Sequence, residues 1–308
     1  MRRILIDTDT GSDDAVALII ALRDPEVKVE AITVVAGNVP LDQAVQNALY
    51  TVALCEQTTP VFAGAISPLI RPLETGQFVH GEDGMGDIGL DLQGRRPASG
   101  QAKDVILETF ASAPGEIELV TLGPLTNVAL ALAENPALAK QIKQCTVMGG
   151  IGKGHGNITK KSEFNIWEDP EAADVVFKSG MPLRMVGWDI SRNYAWIGPE
   201  EKADMKALDS ELAHFTLDIQ STLEKFAVDV SKLPGFDLPD PIAMAIALDP
   251  SLIEVSKELY VEIVKSEGAT RGQTLVDHTG NSQRQANTEV VLEASRKKFL
   301  HKLYQSLI

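Results

Sequence analysis

Cysteine is scarce in this chain: two in 308 residues, Cys55 and Cys145, both in apolar contexts. Two such residues make neither a disulfide framework nor a metal-ligand spacing, which fits a reducing compartment. Long apolar runs are also missing, so no segment approaches a membrane span. Met1-Arg2-Arg3 is basic, but only three apolar residues separate it from Asp7, fewer than a signal-peptide core needs. A cytoplasmic location is therefore expected. Basic residues are outnumbered 28 to 43 by acidic ones, for a formal net charge of −15, which argues against nucleic acid or an anionic membrane surface as partner. Internal repeats, low-complexity tracts and linkers are lacking too. A single domain over residues 1–308 is the simplest reading, and that length can bury a large core.

What the chain has in excess is acid at one place. The stretch Ile4-Leu-Ile-Asp7-Thr-Asp9-Thr-Gly11-Ser12-Asp13-Asp14 runs from a short apolar segment into four carboxylates within eight residues, and an apolar helix follows. Ile4–Ile6 reads as a buried strand with Asp7 and Asp9 on one side of its extension. Gly11 permits a sharp turn, Ser12 is the expected N-cap, and Asp13 and Asp14 enter the first helical turn. Capping uses one or two acids, not four. Two carboxylates about 4 Å apart repel by roughly 4 kcal/mol at an effective dielectric near 20. Something positive is expected there, and an oxygen-only donor set suits a hard divalent cation such as calcium or magnesium.

Strand, turn and helix alternate along the rest of the chain, the mark of a parallel sheet with crossover helices. Strands are expected at Val27–Val35, Val61–Ala63, Ile117–Leu122, Gln144–Met148 and Leu183–Trp188, the last ending in Asp189. Helices are expected over Leu41–Cys55, Ala102–Ala111, Pro170–Lys178, Ile242–Leu248 and Arg296–Leu307, with two more between Gly198 and Ala227. Late strands are expected near Tyr260–Val264, Gly272–Asp277 and Thr288–Leu292. Long polar loops at Ser67–Gly100 and Ile151–Asn165 interrupt the alternation, and such loops are more often functional than idle. The polar clusters follow strands, so a parallel sheet gathers them at its carboxyl edge. Asp240, just before a helix, is a natural further acid there. A hard cation held by Asp9, Asp14 and Asp240, a backbone carbonyl and water is ordinary chemistry.

The acidic run, Gly37-Asn38, Gly123-Pro-Leu-Thr-Asn127, Met148-Gly-Gly150, Glu163-Phe-Asn165, Asp169-Pro-Glu-Ala-Ala173 and Asp240-Pro241 together resemble, in order and along almost the whole chain, the inosine-uridine-type nucleoside hydrolases. The resemblance implies a single α/β domain with an open, mostly parallel (Rossmann-like) sheet flanked by helices. It also implies one calcium ion (Ca2+) per site, hydrolysis of the N-glycosidic bond of ribonucleosides, and a homodimer or homotetramer. It makes Asp9 the general base toward a calcium-bound water. Asp9, Asp14 and Asp240 become carboxylate ligands, with the main-chain carbonyl of Leu122 as another. Asp13, Asn38 and Asn165 are placed at the ribose 2′- and 3′-hydroxyls, Asn157 and Glu163 at the 5′-hydroxyl, and Met148 under the sugar.

One position departs from the pattern. Well-studied members carry His or Trp immediately before the last metal Asp, to protonate or stack on the leaving base; here it is Pro239. His80, Trp188, His155 and Phe236 are then the candidates to approach the base. Two rival readings have distinct signatures. Asp7-x-Asp9 superficially matches the nucleophile motif of haloacid-dehalogenase phosphatases, but Asp13-Asp14 directly behind it is foreign to them. A calcium-loaded nucleoside or ribose binder that has lost turnover through Pro239 has no need of Asp9.

Overall fold

The computed structural model describes residues 1–230 and 232–308. In chain order the first half comprises β1 (Arg2–Thr8), α1 (Ser12–Leu22), β2 (Val27–Val34), α2 (Leu41–Leu54), β3 (Val61–Ala63), α3 (Gln77–His80), α4 (Ala102–Ser112), β4 (Ile117–Thr121), α5 (Thr126–Glu134), α6 (Leu138–Gln141) and β5 (Cys145–Met148). There follow α7 (Phe164–Glu168), α8 (Pro170–Lys178), β6 (Leu183–Val186), α9 (Trp188–Tyr194), β7 (Trp196–Ile197), α10 (Pro199–Ala207), α11 (Glu211–Ile219) and α12 (Ser221–Asp229). The chain closes with β8 (Phe236–Asp237), α13 (Pro239–Leu248), β9 (Ile253–Leu259), β10 (Val261–Ile263), β11 (Thr274–Val276), β12 (Thr288–Ala294) and α14 (Arg296–Ser306).

Eight strands form one sheet in the order β3-β2-β1-β4-β5-β6-β12-β9. All neighbours are parallel except β12 and β9, which pair antiparallel at one edge. Side chains alternate between the faces as a strand requires. Ile4 and Ile6 point into one core with α1, α2 and α13, while Leu5 joins the other with α4, α5 and α8. Every residue of α1, and every residue of α13 after Pro239, is buried. That explains their near-continuous apolar sequences: each is covered all round, not on a stripe.

The expected fold class holds. Strand order runs outward in both directions from β1 and β4, so the polypeptide's crossovers diverge there and leave a crevice at the strands' carboxyl ends. Several elements differ from expectation. Gly11, not Ser12, is the N-cap of α1; Asp14 reaches back to accept from the Gly11 N–H at 2.9 Å, which leaves the Ser12 hydroxyl for other partners. Trp188 and Asp189 open α9 rather than ending β6, because Asp189 turns back to accept from Gly152 and Lys153 N–H groups. The region after Gly198 forms three helices rather than two, broken at Asp209, whose φ is +50°, and at Gln220. The edge strand β9, rich in charge and half exposed, carries no strong apolar alternation to announce it.

Candidate active site

Asp9 follows the carboxyl end of β1 and is fully buried. Its Oδ2 accepts from the Asn38 backbone N–H at 2.7 Å, while Oδ1 is buried with no hydrogen-bond partner among the described residues. Two glycines make room for it: a Cβ on Gly37 would lie 2.1 Å from Asp9 Oδ2, and one on Gly123 2.5 Å from Oδ1. The Gly-Asn and Gly-Pro-Leu-Thr-Asn blocks therefore hold this carboxylate between the ends of β2 and β4.

Asp14 accepts from the Thr8 hydroxyl at 2.5 Å and from Asn38 Nδ2 at 3.0 Å. Asp240 enters at the second position of α13, behind Pro239, whose missing N–H costs nothing in a first helical turn. Oxygens of Asp13, Asp14 and Asp240 lie within 4.8 Å of one another, and all three residues are buried. Asp9 stands beside this trio rather than in it, and Asp13, expected on the ribose, stands within it.

Burial raises the pKa of each of these acids; repulsion from the others adds to it at Asp9, Asp14 and Asp240, and repulsion from Asp237 does so at Asp13. Asp13 is pushed up to about 6. Burying carboxylates costs several kcal/mol each unless opposite charge joins them. With Oδ1 of Asp9 and Oδ1 of Asp13 both lacking a partner among the described residues, the all-oxygen donor set fits a divalent cation.

Above this floor is a cavity of about 240 Å³, large enough for a sugar ring and part of a base. Asp13, Asn38, His80, Leu122, Met148, Asn157, Glu163, Asn165, Trp188 and Asp240 all line it, so ten residues named from the sequence converge. Asp9 and Asp14 lie in the layer beneath. Asn165 donates from Nδ2 to the carbonyls of Leu122 (2.6 Å) and Met148 (3.3 Å), which fixes its amide with Oδ1 free to accept. Glu163 caps α7 and accepts N–H groups from Gly150, Asn165 and Ile166; burial lifts its pKa to about 7. Asn157 Oδ1 accepts from the Phe164 N–H at 2.9 Å.

Two base candidates fall away. His155 is exposed on its loop and does not line the cavity. Phe236 pairs with Ile197 in the β7–β8 ladder and is buried in the core. His80 and Trp188 do reach the cavity, and so does Pro239.

Sequence reasoning missed an apolar wall. Phe78 and Phe226 meet edge to face at 5.8 Å between centroids, with Leu223 and Ala227 of α12 beside them. Single apolar residues on an amphipathic helix carry no sign of facing a ligand. Arg192 was also missed: it pairs with Asp237 at 3.1 Å and lies over the Trp188 ring. Asp237, three residues before Asp240 in a proline-punctuated run, was the available signal.

Residues 4–301 match the family described as inosine-uridine preferring nucleoside hydrolase. The chain belongs to that family. As a nucleoside hydrolase it cleaves the N-glycosidic bond of ribonucleosides, on a fold whose buried acids suit metal and water activation. The pyrimidine-specific ribonucleoside hydrolase RihB of Escherichia coli (strain SE11) is 35% identical to the hydrolase, over 94% of this chain and 91% of that protein. Among solved structures, a plant nucleoside hydrolase superposes with a TM-score of 0.94 at 31% identity, covering 99% and 98% of the two chains. A purine-preferring ribonucleoside hydrolase from Gardnerella vaginalis gives 0.91 at 30%, with the same coverage.

Other blocks of the hydrolase's family pattern serve the scaffold. Asn127 donates to Asp7 Oδ1 and to the Val34 carbonyl and accepts from the Ala65 N–H, tying three strand ends together. Asp169 caps α8 and also accepts from Thr126 and from the Leu69 N–H.

Proposed function

We propose that Asp9 is the general base of a calcium-dependent ribonucleoside hydrolysis. The observation that carries this is the clasped carboxylate: Oδ2 fixed by Asn38, Oδ1 buried without a partner among the described residues, beside three further acids. Asp9, Asp14 and Asp240, with the Leu122 carbonyl, would hold the calcium ion, and Asp13 lies close enough to share in it. When bound, the ion supplies Lewis acidity and fixes the position of water. Asp9 Oδ1 takes the proton of the attacking water, which needs only hydrogen-bond reach. We assign Asp13, Asn38 and the Oδ1 of Asn165 to the ribose 2′- and 3′-hydroxyls, Asn157 and Glu163 to the 5′-hydroxyl, and Met148 to the underside of the ring, all of them residues that line the cavity. Positive charge grows at the anomeric carbon as the C–N bond breaks, and the anionic floor stabilises it more than the ground state. Water arriving opposite the base inverts that carbon.

With Pro239 unable to donate a proton, His80 is the group we place beside the leaving base, and Trp188 and the Phe78–Phe226 wall take its flat faces. Relatives of similar likeness are described as pyrimidine-specific and as purine-preferring, so the test covers both. Incubation with a panel of purine and pyrimidine ribonucleosides plus calcium is expected to release reducing sugar. Asp9→Ala is expected to lower the rate by about 10²–10⁴-fold with an unchanged circular dichroism spectrum. Retained activity in that variant would overturn the assignment, and tight nucleoside binding without sugar release would favour the binder. We also propose a cytoplasmic homodimer or homotetramer. The two free, buried cysteines support the first part and the exposed Ile66 and Ile70 the second; sedimentation velocity measures the association.

A further inference from the structure

The cavity is lined by four carboxylates, those of Asp13, Glu163, Asp237 and Asp240, and among the described residues by a single lysine or arginine, Arg192. A guanidinium keeps its charge at any working pH, and it donates hydrogen bonds without accepting them. Arg192 is therefore a fixed cation in an otherwise anionic chamber.

Two contacts aim it. Nη1 donates to Asp237 Oδ1 at 3.1 Å, and the Ser191 hydroxyl stands 2.6 Å from Oδ2, so the carboxylate that holds Arg192 is itself held. The guanidinium carbon lies 5.2 Å from the ring centroid of Trp188, one helical turn earlier in α9. The ion pair uses one of five N–H groups, and the rest have no hydrogen-bond partner among the described residues. The Arg192 side chain is 29% exposed, whereas Asp240 on the floor is buried. Arg192 thus stands at the mouth of the cavity, at the end marked by Trp188 and Pro239. A nucleoside with its ribose on the acidic floor and its base against Trp188 turns the far edge of that base toward the guanidinium, not the glycosidic nitrogen.

We propose that Arg192 selects the base by receiving a carbonyl oxygen on that far edge, O4 of uracil or O6 of hypoxanthine, and disfavouring the amino group that cytosine or adenine carries there. An amino group meets a donor where it needs an acceptor, and Asp237, the acceptor beside it, is engaged through both oxygens. This deepens the reading of Trp188 as a face for the base and rests on it. The same contact aids bond breaking. The electron pair of the C–N bond passes to the ring nitrogen and spreads onto the carbonyl oxygen. Water's hydroxyl joins the anomeric carbon, its proton goes to Asp9, and the departing base takes a proton from solvent at the mouth. A cationic donor already aimed at that oxygen strengthens its hold as charge arrives, and gives up no proton of its own.

The test compares kcat/KM for four ribonucleosides on the full-length, calcium-supplied enzyme. The native protein is expected to prefer uridine to cytidine and inosine to adenosine at least about ten-fold each, a modest ratio because water reaches this edge. No preference, or the reverse, overturns the proposal and needs no variant to fold. Arg192→Met, which keeps the stem over Trp188, is expected to lower kcat/KM about thirty-fold on uridine and inosine, the scale of one charged hydrogen bond, and less than three-fold on cytidine and adenosine. Inhibition by free D-ribose should stay within two-fold. Equal losses on all four nucleosides would make Arg192 a scaffold residue. Arg192→Met with Asp237→Asn removes the carboxylate left alone and should discriminate no better than Arg192→Met; recovery of uridine and inosine cleavage there would show that Arg192 serves only to neutralise Asp237. Trp188→Ala separates the two readings. If it leaves all four rates unchanged, the base lies elsewhere and both fail; if it lowers them while Arg192→Met acts uniformly, the assignment of Arg192 alone fails.

Discussion

A carboxylate proposed as a base has to be held still, and around Asp9 two absent side chains do much of the holding. Gly37 and Gly123 flank Asp9 so closely that no Cβ fits at either position without moving it. Gly123→Ala is therefore expected to reduce kcat by about 10²-fold while leaving most of the stability intact, because a displacement near 1 Å at a reacting group has that effect. Steady-state kinetics alongside thermal melting checks it. Gly37→Ala should behave alike, with a further conflict at Pro124, whose Cδ would be 2.9 Å away. Acids were the legible part of the site, since four carboxylates in eight residues demand an explanation from charge alone. Their division of labour was not. Whether Asp9 or Asp13 joins Asp14 and Asp240 depends on differences of an ångström or two between strand end and helix start. Spacing along a chain does not record such differences. Arg192 and Phe226 were hidden for another reason: on a helix, one charged or aromatic side chain looks like any other until its neighbours are known.

At the scale of elements, periodicity and turn chemistry located the parallel strands and their crossover helices because each is longer than the turns between them. The failures cluster where a side chain overrides the local pattern. Asp189 folds the end of β6 back into α9, and Gln220 separates α11 from α12 while serving as part of both ends. Asp169 shows the opposite case, a motif residue whose role is structural: one carboxylate caps α8, receives the Thr126 hydroxyl from the start of α5 and holds the loop after β3 through Leu69. Asp169→Ala is expected to cost about 1–2 kcal/mol of stability, the usual scale for a lost cap. KM should stay close to that of the native enzyme. Denaturant unfolding and initial-rate assays distinguish the two effects.

For the molecule as a whole, the buried acids link stability to pH and to metal. Asp7 and Glu163 ordinarily titrate near 3.8 and 4.5, and burial raises both to about 7. Between those values the unfolded chain sheds protons that the folded chain keeps, so stability falls as pH rises. Chelator-treated protein is expected to show a Tm that declines from about pH 4.5 to pH 7, measured by scanning fluorimetry. Calcium at a hundred times its Kd should restore about 2.7 kcal/mol at neutral pH. A Tm that does not respond to calcium would remove the ion from the site.

The acidic floor of the cavity also sorts what enters it. A nucleoside 5′-monophosphate brings two negative charges toward Glu163 and the aspartates beyond, in a chain that already carries −15. Like charges brought together cost several kcal/mol, so nucleotides should be cleaved at least about 10²-fold less efficiently than the corresponding nucleosides. Electrostatic exclusion of this kind would let the protein work in a solution crowded with energy carriers and nucleic-acid precursors while drawing only on the dephosphorylated pool.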